Sequence, residues 1–400
     1  MSFLNPVFTT GTTSYRDGKR FAWLSAIAVP ALIGCAPLFY VWTGSVASLL
    51  IPFVLVYGVI PLLDLVMGQD GNNPPEEIVP LLEADPYYRW ATYALVPVLW
   101  TAFLVNAWFV GTYDLPWTGV LAAAINVGLL CAFAINLGHE MGHKKTKLER
   151  NLASVTLAMG AYGHFPIEHN RGHHRHVATP EDTASSRMGE GLYRFALREL
   201  PGGFFRAWRF EAGRLERHGQ RVWSLHNEIL RSALITVVVS VALVATFGWI
   251  MVPYLAVAYF AGAFHLTMAN YVEHYGLLRQ KRPNGLYERC QPHHSWNSNH
   301  IVSNWALYHL QRHSDHHANP GRRYQSLRHF EDLPTLPSGY FGMFWLVVIP
   351  PLWFRLMDPI LLEHTNRDPR LINFDPKRKD ALIAKYGLVD EATAPEQLAA

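Results

Sequence analysis

The feature that most constrains this chain is the segregation of its charge. No Asp, Glu, Lys or Arg occurs from Phe21 to Thr43, Val46 to Leu63, Trp90 to Tyr113, Leu115 to Gly138 or Ser232 to Val272. Each of the first four stretches is long enough to cross a hydrocarbon layer of about 30 Å as a single helix. The fifth is far longer than one crossing needs, and Gly248 and Pro253 mark the break that divides it. The sequence therefore predicts an all-α polytopic membrane protein with about six spans, near residues 21–43, 46–66, 90–113, 115–138, 230–249 and 252–272. Only 16% of the 400 residues are charged and half are hydrophobic, against roughly 25% charged in soluble domains.

Orientation follows from the basic residues. Lys19 and Arg20 precede the first span, and Lys144 to Arg231 is rich in Lys and Arg, so both regions belong on the cytoplasmic side. Six spans then place both termini there. The opposite links, near Gly44, Asp114 and Trp249, contain no Lys or Arg. On this reading residues 1–375 are one integral-membrane domain, with cytoplasmic regions 139–229 and 273–375, and 376–400 are a polar tail or linker. The segments Asn151 to Ile167 and Tyr340 to Phe354 are apolar but interrupted or short, and are expected to be interfacial or re-entrant. Met1 to Arg20 lacks a secretory-signal pattern. A net charge of +3 with dispersed basic residues excludes a nucleic-acid footprint. Cys35, Cys131 and Cys290 lie far apart, so neither a disulfide framework nor a thiolate metal site is indicated.

The chemistry is carried by histidine. Most of the 20 lie between His139 and His329. Gly138-His139-Glu140-Met141-Gly142-His143-Lys144 closes the fourth span with imidazoles at i and i+4, on one helix face. Glu168-His169-Asn170-Arg171-Gly172-His173-His174 repeats the pair and adds a neighbour. Asn270-Tyr271-Val272-Glu273-His274-Tyr275-Gly276 places one histidine at the end of the sixth span. Leu310-Gln311-Arg312-His313-Ser314-Asp315-His316-His317 gives i, i+3 and i+4 spacing. A neutral imidazole offers one lone pair while its other nitrogen is fixed by an acceptor. Nine such rings exceed one ion's needs and point to a two-metal, histidine-rich site; ligand type alone admits zinc, copper, nickel or iron. Glu140 and His143 match the Glu-x-x-His of soluble carboxylate bundles, but the second copy those require is missing, so Glu140 is expected to cap or support. His176, His293, His294, His300, His309 and His329 do not complete the spacing and are expected to be structural or supporting. His265 lies inside a span, where it must line a cavity or find a partner. His164, His218, His226 and His364 carry no special expectation. A metal transporter would need ionisable groups within the spans, and only His265 and Asp64 approach that description.

These four segments together resemble the membrane-bound alkane 1-monooxygenases, whose motifs run His-Glu-x-x-His-Lys, Glu-His-x-x-Gly-His-His, Asn-Tyr-x-Glu-His-Tyr-Gly and Leu-Gln-Arg-His-Ser-x-His-His-Ala. The related fatty-acid desaturases usually have His-x-x-His-His as their second box, where this chain has His169-x-x-x-His173-His174. The resemblance implies a non-haem di-iron centre held by His139, His143, His169, His173, His174, His274, His313, His316 and His317. It implies terminal hydroxylation of medium- to long-chain n-alkanes with O2 and two electrons from rubredoxin, which is in turn reduced by a rubredoxin reductase. It also implies a bacterial inner-membrane location with the metal site in the cytoplasm. The alternative within the superfamily is a fatty-acyl desaturase or an arylalkyl methyl hydroxylase.

This chain has no Cys-x-x-Cys pair to hold a rubredoxin iron, so the donor is a separate polypeptide or one fused beyond the linker-like stretch near Pro395. Carboxylates beside ligand histidines would fix their tautomer; Asp182, Glu273 and Asp315 are the candidates besides Glu140, with Glu273 favoured because it precedes His274. Arg312, Arg322 and Arg323 are read as exposed cations that either meet an acidic donor or form ion pairs near the site.

Overall fold

The computed structural model describes residues 5–388. Past a short hairpin (β1, Val7–Thr10; β2, Thr13–Arg16) the described chain is helical. The first apolar stretch forms α1 (Ser25–Gly34) and α2 (Ala36–Thr43), and the span containing them bends by 42° between Gly34 and Ala36. Five helices are each long and apolar enough to cross a membrane: α3 (Val46–Met67, with a π turn at Leu55–Val59), α4 (Pro86–Thr112), α5 (Trp117–Gly142), α9 (Glu228–Phe247) and α10 (Met251–His274). With the bent pair as one span these match the six expected stretches. Between α5 and α9 lie α6 (Lys147–Met159), α7 (165–176) and α8 (Leu192–Arg217). After α10 come α11 (Ile301–Ala306), α12 (His313–Ala318), α13 (Tyr340–Val347), α14 (Pro350–His364) and α15 (Lys379–Tyr386).

Local chemistry sets the helix ends. Asp85 caps α4 by accepting from the Tyr87 N–H at 2.8 Å, and Asn227 caps α9 by accepting from Ile229 at 3.0 Å and Leu230 at 3.3 Å. Gly248, at φ 81°, ends α9 in the left-handed region that the sequence break anticipates. α13 and α14 meet at 120°, so the apolar Tyr340 segment turns back on itself. The Asn151 to Ile167 segment is split: its first half lies in α6, an amphipathic helix whose Ala153, Leu157 and Ala158 are buried, and the rest forms the turn into α7 and its first residues.

The centre of the bundle is α5 against α10. In α5 72% of the most apolar window is buried, against 17% in the peripheral α9. Small residues make this approach possible, because in lipid close packing replaces the hydrophobic drive. A Cβ on Gly262 would lie 2.5 Å from the Cys131 Cβ, and one on Gly128 would collide with Ala261. This contact brings the ends of α5 and α10, with His139 and His274, to the same level.

One expectation of the fold needs correction. Residues after 375 do not begin as a free tail. Leu382 and Leu388 are buried in the core, and the Tyr386 hydroxyl donates to Asp358 at 2.7 Å, because the few apolar side chains among the charges fall where the helix can use them. Residues 389–400, including the stretch near Pro395, lie outside the described residues. Asp64, one of the two ionisable groups noted within the spans, serves a helix end. It accepts from the Val302 N–H at 2.7 Å and the Ser303 N–H at 3.1 Å, and from the Ser303 hydroxyl, so it caps α11 from another helix.

Replacing Gly262 with Leu forces α10 away from α5. The expected outcome is a loss of about 1–3 kcal/mol and reduced metal content, read by thermal unfolding in detergent and by elemental analysis. A variant with unchanged values would show that this contact does not set the site.

Candidate metal centre

Four short elements deliver the nine imidazoles. His139 sits one turn from the end of α5 and His143 follows its last residue, with ring centroids 5.1 Å apart. His169, His173 and His174 lie in α7, whose His169–His173 segment is a π turn. His274 ends α10. His313, His316 and His317 occupy α12, six residues that cannot hold a helix unaided. Tertiary contacts hold it: the Asn297 side chain accepts from the Ser314 N–H at 2.9 Å, and Asp315 accepts from Asn319, Arg322 and the Arg328 N–H.

The rings form two sets. His139, His143, His169, His174 and His316 converge in one, and His173, His274, His313 and His317 in the other, with the candidate ligand atoms of each set within 4.8 Å of one another. In the first set the His139 and His316 Nε2 atoms are 2.9 Å apart, His169 and His174 3.0 Å, and His174 and His316 3.1 Å. In the second, the Nε2 of His313 lies 2.9 Å from that of His317 and 3.2 Å from that of His274. Adjacent nitrogens at right angles on an ion with bonds of about 2.1 Å are separated by about 3.0 Å. The spacing therefore fits a transition-metal ion in each set. The sets touch through His174 and His317, whose ring centroids are 4.4 Å apart.

The sets cut across the sequence clusters. His169 and His173, although i and i+4, serve different sets, because the π turn changes the angular advance between them. His316 also parts from its neighbours His313 and His317.

Burial and the neighbouring imidazoles hold His143, His169, His174, His313, His316 and His317 well below the ordinary histidine range, which keeps them neutral with a lone pair free. His173 is the exception. Burial pushes it down, but the charge of Asp182, a 2.8 Å hydrogen bond from Nδ1 to Asp182 and the charge of Glu168 together raise it. Burial alone would raise Asp182; His173 and Arg206 overcome this and hold it far below the carboxylate range. Arg206 of α8 donates to Asp182 at 2.8 Å and also pairs with Glu168. With Nδ1–H engaged by Asp182, the buried Nε2 of His173 points its lone pair into the second set.

The other named carboxylates behave differently. Glu273 Oε2 is 3.3 Å from His313 Nε2, on the inward nitrogen and not behind the ring. Glu140 makes no bond to an imidazole; it pairs with Lys144 at 3.0 Å and accepts from the Tyr324 N–H. Asp315 likewise anchors loops, because its helix turns it away from the rings toward Arg322 and Arg328.

Arg312 is buried, not exposed, and donates to the carbonyls of Leu327 and Asp70, each at 2.7 Å. Arg322 and Arg323 are neutralised by Asp315 with Glu76 and by Glu149 respectively. Sequence reasoning overlooked Arg206, Glu168 and Glu199. The available signal was Glu199 and Arg206 seven residues apart on one face of an otherwise apolar helix side. Buried Glu199 accepts from the Thr267 hydroxyl at 2.7 Å and the Asn270 amide at 3.1 Å, tying α8 to α10. A third cluster, Glu288, His293 and His294, is already satisfied internally: the His294 Nδ1 accepts from the Gln291 N–H at 2.9 Å, leaving Nε2–H for Glu288 at 3.2 Å.

A narrow apolar cavity of about 60 Å³ ends at the rings; Phe133, Ile135, Leu310 and Phe344 line it, with His139, His169 and His313 at its end. His265 and Phe344 also line a second apolar cavity of about 150 Å³, bounded by Phe53, Tyr57 and Trp345 among the spans. The His265 Nδ1–H donates to the Ala261 carbonyl one turn back on its own helix at 2.6 Å.

Two sets of rings predict two metal equivalents per chain. Asp182→Asn is expected to weaken the second equivalent by about 10- to 100-fold, read by chelator competition, while His293→Ala leaves both equivalents in place. Equal retention in the Asp182 variant would remove its role in orienting His173.

Comparison with known proteins agrees with this arrangement. Residues 115–358 match the fatty acid desaturase family model. The chain is 49% identical over 378 residues to the alkane 1-monooxygenase of Ectopseudomonas oleovorans, covering 93% of each protein. It is also 49% identical over 381 residues to alkane 1-monooxygenase 1 of Alcanivorax borkumensis, covering 94% of this chain and 93% of that one. The hydroxylase component of a xylene/toluene monooxygenase from Pseudomonas putida is 28% identical over 222 residues, 55% of this chain and 58% of that protein. With the histidine segments, the helical scaffold and these identities in agreement, the chain belongs to the alkane 1-monooxygenase family.

Proposed function

We propose that this enzyme hydroxylates the terminal methyl of medium- to long-chain n-alkanes at a di-iron centre. One iron would be held by His139, His143, His169, His174 and His316, the other by His173, His274, His313 and His317. The observation that carries this reading is the apolar cavity lined by Ala132 and Phe133 of α5 and by histidines of both sets, His139 and His169 of one and His313 of the other. The balanced reaction is RCH3 + O2 + 2 e− + 2 H+ → RCH2OH + H2O. Ferrous ions, when bound, supply the reductive activation of O2.

The chain's own residues do the selecting. An alkane offers no polar handle and its terminal C–H is the strongest along the chain, so regioselectivity comes from position. Phe133, Leu310 and Phe344 line the cavity beside the rings with apolar surface, which would exclude water and leave the chain's terminal methyl to be set by its position. Burial contributes about 0.8 kcal/mol per methylene, while one methylene separates substrates by only about 1–3 kcal/mol, so a range of chain lengths is accepted. Asp182 fixes the tautomer of His173 by accepting its Nδ1–H.

The electrons come from rubredoxin, itself reduced by a rubredoxin reductase. Cys35, Cys131 and Cys290 are separate free cysteines and cannot form a donor centre in the described chain. The protein lies in the bacterial inner membrane as one domain that includes the packed helix Lys379–Tyr386, with the metal site and both termini in the cytoplasm. The Lys and Arg distribution supports that orientation.

The iron-loaded enzyme, given a reduced rubredoxin and a mixture of n-alkanes and methylbenzenes under 18O2, is expected to yield labelled primary alkanols. Benzylic alcohols alone, or unsaturated products, would move the substrate to the sibling hydroxylases or desaturases. Ala132→Phe narrows the cavity and is expected to shorten the longest alkane oxidised without changing the position of attack, read by product chromatography. An unaltered chain-length profile would place the substrate elsewhere.

A further inference from the structure

The molecule contains a second built cavity that the reaction does not use. It encloses about 500 Å³ between the end of α5, the start of α6, the loop and helix around Gly163–Arg171, and the start of α9. Its charged lining is Lys147, Arg150, Arg171 and Arg231 against one carboxylate, Glu228. Among the described residues, Lys147, Arg150 and Arg231 make no ion pair within 4.0 Å, and Arg171 reaches only Glu211 at 3.8 Å. Four cations with so little internal compensation make a cavity that favours an anion.

Its setting defines the kind of anion. Gly163 lines both this cavity and a neighbouring apolar groove of about 360 Å³, whose walls include Phe204, Ala233, Val237 and Tyr259. The basic chamber and the apolar groove therefore adjoin at Gly163, whose backbone packs closely against Ser232 of α9. Arg231 also stands above a stripe of the same α9 face, Leu234, Val238 and Val241, which are 48%, 58% and 61% exposed. α9 is the least buried of the long spans, so this stripe faces lipid. Close contacts keep the chamber in shape: Ser232 donates to the Ser154 carbonyl at 3.1 Å and Thr236 to the Ala158 carbonyl at 2.7 Å, fixing α9 against α6.

We propose that this is a site for one anionic phospholipid, with its phosphodiester headgroup among Lys147, Arg150, Arg171 and Arg231 and an acyl chain in the groove beyond Gly163. A free phosphate would use the basic chamber alone, and an acidic protein surface would have no use for the apolar groove. Occupancy would brace α6 and α9, whose neighbour α7 carries His169, His173 and His174.

The test uses the iron-loaded enzyme, delipidated in detergent and then exposed to phosphatidylglycerol, phosphatidylcholine or inorganic phosphate. Binding is read by native mass spectrometry and thermal unfolding. One phosphatidylglycerol per chain is expected to bind in preference to phosphatidylcholine. Each cation beside an anionic headgroup contributes roughly fivefold, so Arg150→Gln with Arg231→Gln is expected to weaken binding about 30-fold. Both side chains are exposed, so iron content and the unfolding temperature without lipid should match the parent. Val237→Asp, in the groove, is expected to weaken the lipid and leave phosphate unaffected. Equal phosphatidylglycerol retention by parent and double variant would overturn the proposal. So would inorganic phosphate that binds and stabilises as well as the lipid, which would make the chamber a free-anion site. A double variant that keeps its lipid but loses affinity for reduced rubredoxin would make it a protein interface.

Discussion

Nine clustered imidazoles, seven of them buried and seven with ring nitrogens facing one another at 2.9–3.2 Å, are the constraint on which the rest of the structure depends. Neutral rings so arranged cannot each find a hydrogen-bond donor, since two facing Nε2 atoms share at most one proton. Protonation would satisfy the lone pairs but would place like charges about 3 Å apart in a dry site, which burial makes costly. A cation in each set resolves both problems. The folded chain holds the problem open by supporting every ring from outside.

That support comes in layers. α5 and α10 approach through Gly128, Cys131, Ala261 and Gly262, which sets the level of His139 and His274. The π turn in α7 lets adjacent residues serve different sets. Asn297 and Asp315 hold α12, which is too short to stand alone. Beneath α7, Arg206 joins Glu168 and Asp182 into a buried ionic network with His173. Losing one member of such a network would strand an uncompensated charge, so the network acts as one unit.

The same scaffold separates two environments. On the membrane side the rings meet an apolar cavity lined by Phe133, Leu310 and Phe344, suited to a substrate already dissolved in lipid. On the other side the loops carry ion pairs such as Arg322 with Asp315 and Glu76 and Arg323 with Glu149, which lock the His313–His317 segment to α6 and to the loop before α4. Among the long spans α9 is the least buried, and its start lines the basic cavity.

The sequence alone determined the spans, because crossing a bilayer demands length and apolarity that no local contact can replace, and it named all nine clustered imidazoles through their spacing. It also marked the break at Gly248. What it could not contain was the partition of the rings. His169 and His173 look equivalent in sequence, and a π turn separates them; His313 and His316 look like partners, and the angle at which α12 is presented sends them to different sets. The carboxylates were ranked by proximity along the chain, whereas contact is decided by helix faces: Asp182 reaches an imidazole nine residues back, while Asp315, beside one, turns away. Arg312 and the helix after residue 375 were misread for one reason. A charged or polar side chain announces its type in sequence, but only the tertiary structure decides whether it meets water, a partner or a helix end.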